Sequence, residues 1–235
     1  RLTEAGCRLV PIVCELQDPH RYPVMKDGKV QIDPKTGEPK PAFTGKNPSF
    51  WRADGEPQLL SHTRPPSLET LLEHIAVAER LGMPLGIAFV PSPDNVGIDF
   101  DAKDYAGGRQ ELLADVERLV AAHPALQRTR CEVTPSGGVH IYLRVGDGME
   151  SWQKPDGKGR YCHFTTVDGG AHRGEVLCGV RVCLTAPTPG YRLLDADHAY
   201  AFAAVPNLAA LGITPSAARK KAPAAPIEGA PRTAP

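Results

Sequence analysis

The stretch Val96-Gly97-Ile98-Asp99-Phe100-Asp101 constrains this chain more than any other, because an extended strand sorts its residues cleanly by polarity. Neighbouring side chains of a strand point to opposite faces, so Val96, Ile98 and Phe100 enter a core while Asp99 and Asp101 share the other face. Two carboxylates about 7 Å apart along a strand repel one another unless a cation lies between them. A hard divalent ion meets that need, and a polar strand edge is the ordinary alternative.

A second segment divides its residues the same way. In Val139-His140-Ile141-Tyr142-Leu143-Arg144-Val145 the four aliphatic residues form one face, and His140, Tyr142 and Arg144 form the other. The turn Thr134-Pro135-Ser136-Gly137-Gly138 leads into it. Its glycines let backbone N–H groups approach an anion closely, and Ser136 adds a hydroxyl, which suits a phosphate. A third acidic candidate, Glu175, sits in Arg173-Gly174-Glu175-Val176-Leu177-Cys178, followed by an apolar run to Ala186-Pro187 and then Gly190-Tyr191-Arg192.

The order Asp99-Phe100-Asp101, Ser136-Gly137-Gly138-Val139-His140, Glu175, Ala186-Pro187 and Tyr191 resembles the bifunctional primase–polymerase branch of the archaeo-eukaryotic primase superfamily, found in plasmids, phages and mobile elements. Gly6-Cys7-Arg8-Leu9-Val10-Pro11 resembles its first strand, and Gly45-Lys46-Asn47-Pro48-Ser49-Phe50-Trp51 its Lys-x-Pro…Trp segment, so the resemblance runs from about residue 5 to 194. Two features depart from it: many relatives have Asp at the position of Glu175, and the segment from Leu16 to Phe43 is long. The resemblance implies an α+β primase–polymerase catalytic fold, with an RRM-like mixed or antiparallel sheet and flanking helices. It implies template-directed nucleotidyl transfer, as DNA primase, DNA polymerase or both, with two magnesium or manganese ions held by Asp99, Asp101 and Glu175. Ser136, Gly137, Gly138, His140 and Arg144 would then bind the nucleotide. The implied partners are a single-stranded DNA template, NTP or dNTP, and a helicase module in the full-length protein.

Two other classes remain open at this point. A single-stranded nucleic-acid binding module without catalysis stacks bases on aromatics of an open sheet, and Tyr142 fits that use, although the basic-Gly-aromatic pattern of RNA-binding sheets is missing. A metal-dependent replication-initiator nuclease would need two histidines flanking one apolar residue, and no His-x-His occurs in the chain.

With 27 basic and 27 acidic residues the formal charge is zero, which counts against binding through a broad basic surface. A template groove needs only a local stripe, and Arg144, Lys154, Lys158, Arg160 and Arg173 supply one. Cysteines at 7, 14, 131, 162, 178 and 183 form no C-x-x-C pair, against both a zinc ribbon and a disulfide scaffold. Zinc on Cys162, His163, His172, Cys178 and Cys183 is conceivable, but Cys178 and Cys183 lie in apolar runs, where a buried reduced thiol is the simpler reading. No run approaches the roughly 20 apolar residues of a membrane span and no cationic leader precedes the fold, so the expectation is a soluble, cytoplasmic protein with no membrane partner. Arg1 in place of methionine reads as the start of a piece of something longer.

Periodicity predicts a strand over Leu9–Cys14, an exposed hairpin over Lys26–Pro41, and a helix opening at Ser67 and closing at Gly82 before Pro84. Strands follow at 86–90 and 96–101, expected to pair as a hairpin, then a helix over 109–122 and a hairpin of 130–133 with 139–145. Residues 146–171 read as a long mobile loop. Strands return at 174–178, 181–186 and 191–194, with a final helix over 195–204. The domain organisation predicted is a catalytic domain over residues 1–213 and a Pro/Ala-rich linker or tail over 214–235.

Overall fold

Why these segments become these elements is clearest at the first helix. In the computed structural model, which describes residues 8–14, 16, 18–60, 66–154, 162–165, 174–178 and 182–216, Ser67 Oγ accepts the Thr70 N–H at 3.1 Å, and Gly82 closes the helix in the left-handed region at φ +63°. Within those caps the helical spacing carries Leu71, His74, Val77 and Ala78 inward.

The elements in chain order are β1 (Arg8–Val13), β2 (Met25–Lys26), β3 (Lys29–Val30), β4 (Ser49–Trp51), β5 (Pro57–Leu59), α1 (Leu68–Leu81), β6 (Leu85–Val90) and β7 (Asn95–Phe100). They continue with α2 (Gly108–Ala122), β8 (Cys131–Val133), β9 (Val139–Val145), β10 (His163–Thr165), β11 (Gly174–Leu177), β12 (Cys183–Thr185), β13 (Arg192–Leu193), β14 (Ala203–Val205) and β15 (Thr214–Ser216). The chain is α+β and its strand pairing is mostly antiparallel. A main sheet runs β13-β8-β9-β7-β11-β10-β15, with β14 lying parallel to the far end of β9. A smaller sheet runs β1-β6-β12, and two short hairpins, β2-β3 and β4-β5, stand apart.

Strand alternation gives the main sheet two different faces. Val96, Ile98, Phe100, Val139, Ile141, Leu143, Val145 and Val176 enter the largest core, which Leu112 and Val116 of α2 cover together with Leu126, Leu208, Leu211 and Ile213. The opposite face meets the smaller sheet, where Phe89 and Cys183 pack on Tyr142 and Leu177. The same face of the smaller sheet continues past the main sheet, where Val13 packs with Trp51 of β4 and Val77 and Ala78 of α1.

Four expectations change. The strands at 86–90 and 96–101 do not form a hairpin: β6 is paired on both edges, with β1 and β12, while β7 joins β9 and β11 in the other sheet. Gly86 permits the first of these pairings, since a Cβ there would lie 2.4 Å from the Ile12 carbonyl oxygen. The helix expected over 195–204 is absent because tertiary donors take its carbonyls: the Arg130 N–H binds the Ala201 carbonyl at 2.7 Å and the Arg130 guanidinium binds that of Ala199. Ala203–Val205 becomes β14 instead. The segment after residue 145 is not a uniform loop, for Met149 and Trp152 are buried in the main core and 163–165 form β10. Finally, Thr214–Ser216 pairs with β10 at the start of the stretch assigned to the tail. Residues 217–235, Lys158, Arg160, His172 and Arg173 lie outside the described residues. No helix among those described is long and apolar enough to cross a membrane.

Candidate active site

The antiparallel registers place five chemistry-bearing residues in one row across the main sheet. Glu132 of β8 faces His140 of β9, His140 faces Asp99 of β7, Asp99 faces Glu175 of β11, and Glu175 faces His163 of β10. Directly opposed residues share a face of an antiparallel sheet, so this row stands on the side turned toward the smaller sheet. Two-residue alternation delivers the row because each strand keeps its aliphatic residues on the core side.

The row divides by exposure. Asp99 and Glu175 keep 27% and 21% of their side-chain surface open, and His163 keeps 21%. Glu132 at 0% has no solvent at all. Asp99 Oδ1 lies 3.4 Å from His140 Nε2, and Glu175 Oε1 lies 3.4 Å from His163 Nδ1. Each open carboxylate therefore has an imidazole on its outer side and the other carboxylate on its inner side.

Asp101 follows the last paired residue of β7. It accepts the Lys103 N–H at 3.3 Å and forms an ion pair with the Lys103 ammonium. Its side chain remains 21% exposed. Among the described residues no three His, Cys, Asp or Glu side chains are grouped to hold a metal ion, for the divalent set as for zinc. Asp99, Asp101 and Glu175 are nonetheless oxygen donors, partly open, of the type that magnesium and manganese prefer.

The Ser136-Gly137-Gly138 turn closes on Thr134. The Gly137 N–H donates to the Thr134 carbonyl at 2.9 Å and the Gly138 N–H to Thr134 Oγ1 at 3.0 Å. Those two amides are occupied, contrary to the anion-cradle expectation, and the Ser136 hydroxyl lies 3.1 Å from Thr134 Oγ1. Its glycines are needed for shape: Gly137 has φ +82°, and a Cβ on Gly138 would lie 2.5 Å from the Phe100 carbonyl oxygen. That contact brings the turn against the end of β7 beside Asp101.

His140 is buried, with its Nε2 toward Asp99 and its Nδ1 3.3 Å from Cys183 Sγ. The Tyr191 ring lies alongside, 5.7 Å between centroids and tilted by 38°. Burial works against a charged imidazole, but attraction to Cys183 and the hydrogen bonds to Asp99 and Cys183 outweigh it and hold His140 well above the usual histidine value. Burial likewise raises the Tyr142 and Tyr191 hydroxyls, with neighbouring negative groups adding to it.

Besides Asp101 and the Ser136-Gly137-Gly138 turn, which border the row, Arg144 and Tyr142 are not brought to it. Arg144 lies four residues beyond His140, about 13 Å along the strand, opposite Asn95. Tyr142, between them, is fully buried against Phe89 and Phe202, which removes it as a base-stacking platform. Conversely, the row contains Glu132, which motif reading passed over. Glu132 accepts from Arg130, from Thr185 Oγ1 at 2.7 Å, from the Ala186 N–H at 3.2 Å and from Tyr142 Oη at 3.0 Å. The alternation Arg130-Cys131-Glu132-Val133 carried that signal, since two opposite charges on one face of an apolar strand call for mutual pairing. His163, read from the sequence as a conceivable zinc ligand, stands instead beside Glu175.

Comparison with known proteins returns no matching family model and no matching curated protein.

Proposed function

We propose that this chain is a metal-dependent nucleotidyltransferase of primase–polymerase type, adding nucleotides against a single-stranded DNA template. One observation carries the reading: Asp99 and Glu175, from motifs 76 positions apart in sequence, are cross-strand partners, and His140 flanks Asp99 on the next strand. Asp99, Asp101 and Glu175 would hold the two ions, which when bound supply activation of the attacking 3′-hydroxyl and neutralisation of charge on the departing pyrophosphate.

The remaining roles belong to the chain itself. His140 presents Nε2–H beside the carboxylates and would donate it to a triphosphate oxygen, a charge-assisted bond that orients the nucleotide. The Ser136 hydroxyl, at the turn seated against the end of β7, adds a second donor. The smaller sheet closes over Tyr142 and Leu177 but leaves the acids partly open, so the site has a dry floor and an accessible rim. Burial of Tyr142 removes the aromatic on which a purely base-stacking module would depend.

The test is incorporation of NTP or dNTP on a single-stranded DNA template, with and without a primer, in magnesium or manganese. Expected is metal-dependent product with the unaltered chain and none with Asp99→Ala. Product of equal yield from Asp99→Ala, or template binding without any incorporation, would sink the reading.

A further inference from the structure

The sulfur of Cys183 comes from the smaller sheet, on β12, and touches the main sheet at His140. Sγ lies 3.3 Å from Nδ1 and 3.5 Å from Tyr142 Oη, and the cysteine is 1% exposed. A thiol so enclosed cannot reach a substrate, which rules out a nucleophile's role despite its order with His140 and Asp99. Gly97 leaves the space it occupies, since a Cβ at 97 would lie 3.2 Å from the sulfur. The next inward residue of the same strand, Thr185, meets Glu132 in the same way, so β12 docks on the row at two successive points.

We propose that Cys183 is a positioning residue for His140, holding the ring through Nδ1 so that Nε2–H faces the carboxylates. This rests on the nucleotidyl-transfer reading for its catalytic consequence and on geometry alone for the orientation. Both partners of the ring demand the same arrangement. The Asp99 carboxylate only accepts, so Nε2 must be the donor. Nδ1 then meets a sulfur that can give or take a hydrogen bond. The Tyr142 hydroxyl directs its hydrogen to Glu132 and accepts the Cys183 S–H at 3.5 Å, which leaves a sulfur lone pair for the ring.

Histidine-ring proton–nitrogen correlation spectra of the full chain without substrate read the orientation directly. The unaltered protein is expected to show one fixed His140 ring with a slowly exchanging Nε2–H, unchanged in Cys183→Ser, which keeps a donor and acceptor, and averaged in Cys183→Ala. In incorporation assays, Cys183→Ala should raise the nucleotide KM about 10-fold, the weight of one ordinary hydrogen bond, with kcat within about twofold. Cys183→Ser should restore KM. A wild-type ring pattern surviving in Cys183→Ala overturns the proposal, as does a serine variant that behaves like the alanine one. An unaltered chain that incorporates no nucleotide refutes the nucleotidyl-transfer reading, whereas the ring spectrum still decides the orientation.

Discussion

Glu132→Gln isolates the buried ion pair beneath the candidate site. Arg130 and Glu132 are 3% and 0% exposed, and removing one partner of such a pair typically costs about 3–5 kcal/mol because the other charge is left buried. Arg130 keeps bonds to Thr185 Oγ1 at 2.9 Å and the Ala186 carbonyl at 3.2 Å, besides the Ala199 carbonyl, which places the expected loss near the lower limit. The glutamine oxygen can still take the Thr185 and Ala186 donors, but its NH2 group would face the Tyr142 hydroxyl as a second donor. A loss of about 3 kcal/mol in a chain of this size lowers the melting temperature by roughly 6–12 °C. Arg130→Met in the same background should cost less than the sum of the single changes by about 1–3 kcal/mol, the signature of a shared interaction. Urea unfolding of the four proteins completes the cycle. A single-variant loss below about 1 kcal/mol, or strict additivity, would show that this pair behaves like an exposed one and that the burial argument is wrong.

Glu175→Gln preserves shape and removes charge, so incorporation should fall sharply and its magnesium dependence should move to higher concentration; an unchanged metal titration would make Glu175 a bystander. His140→Ala should weaken nucleotide binding roughly 10- to 100-fold while template affinity holds, from the worth of a hydrogen bond to a charged group, and titration of both ligands checks it. His74 is buried with Nδ1 accepting the Trp51 N–H at 3.1 Å, and burial pushes it down to about 4, with the Gly86 backbone working weakly the other way. Because its folded value lies below the unfolded one near 6.5, its stabilising contribution is complete above that pH and declines toward pH 4. About 2 kcal/mol should disappear between pH 7 and 5 in urea unfolding, and a His74→Leu variant should lose that slope.

How far these elements could be read in advance follows the range of the forces that set them. The limits of α1 were legible because Ser67 and Gly82 act on their own neighbours, and the faces of β7 and β9 were legible because alternation is local. Partner choice was not. Nothing within 86–101 says that β6 fills both its edges elsewhere, and the carbonyls of Ala199 and Ala201 follow no helix because Arg130, distant in sequence, takes them. Arg144 looked close to His140 in sequence, but the turn of Tyr142 into the sheet interface between them could be seen only once the second sheet was placed.

The candidate site itself depends on both kinds of information. Asp99, His140 and Glu175 each announced a polar face within one strand, but whether two carboxylates meet depends on which strands pair and in what register. The β7-β11 register makes that pairing, and a slip of one residue would send Glu175 into the core. Val176 secures the register by entering the main core on the opposite face. The geometry of the acids is therefore held from below by aliphatic packing and that of His140 from above by β12. A perturbation of either layer should reach the site without touching a carboxylate.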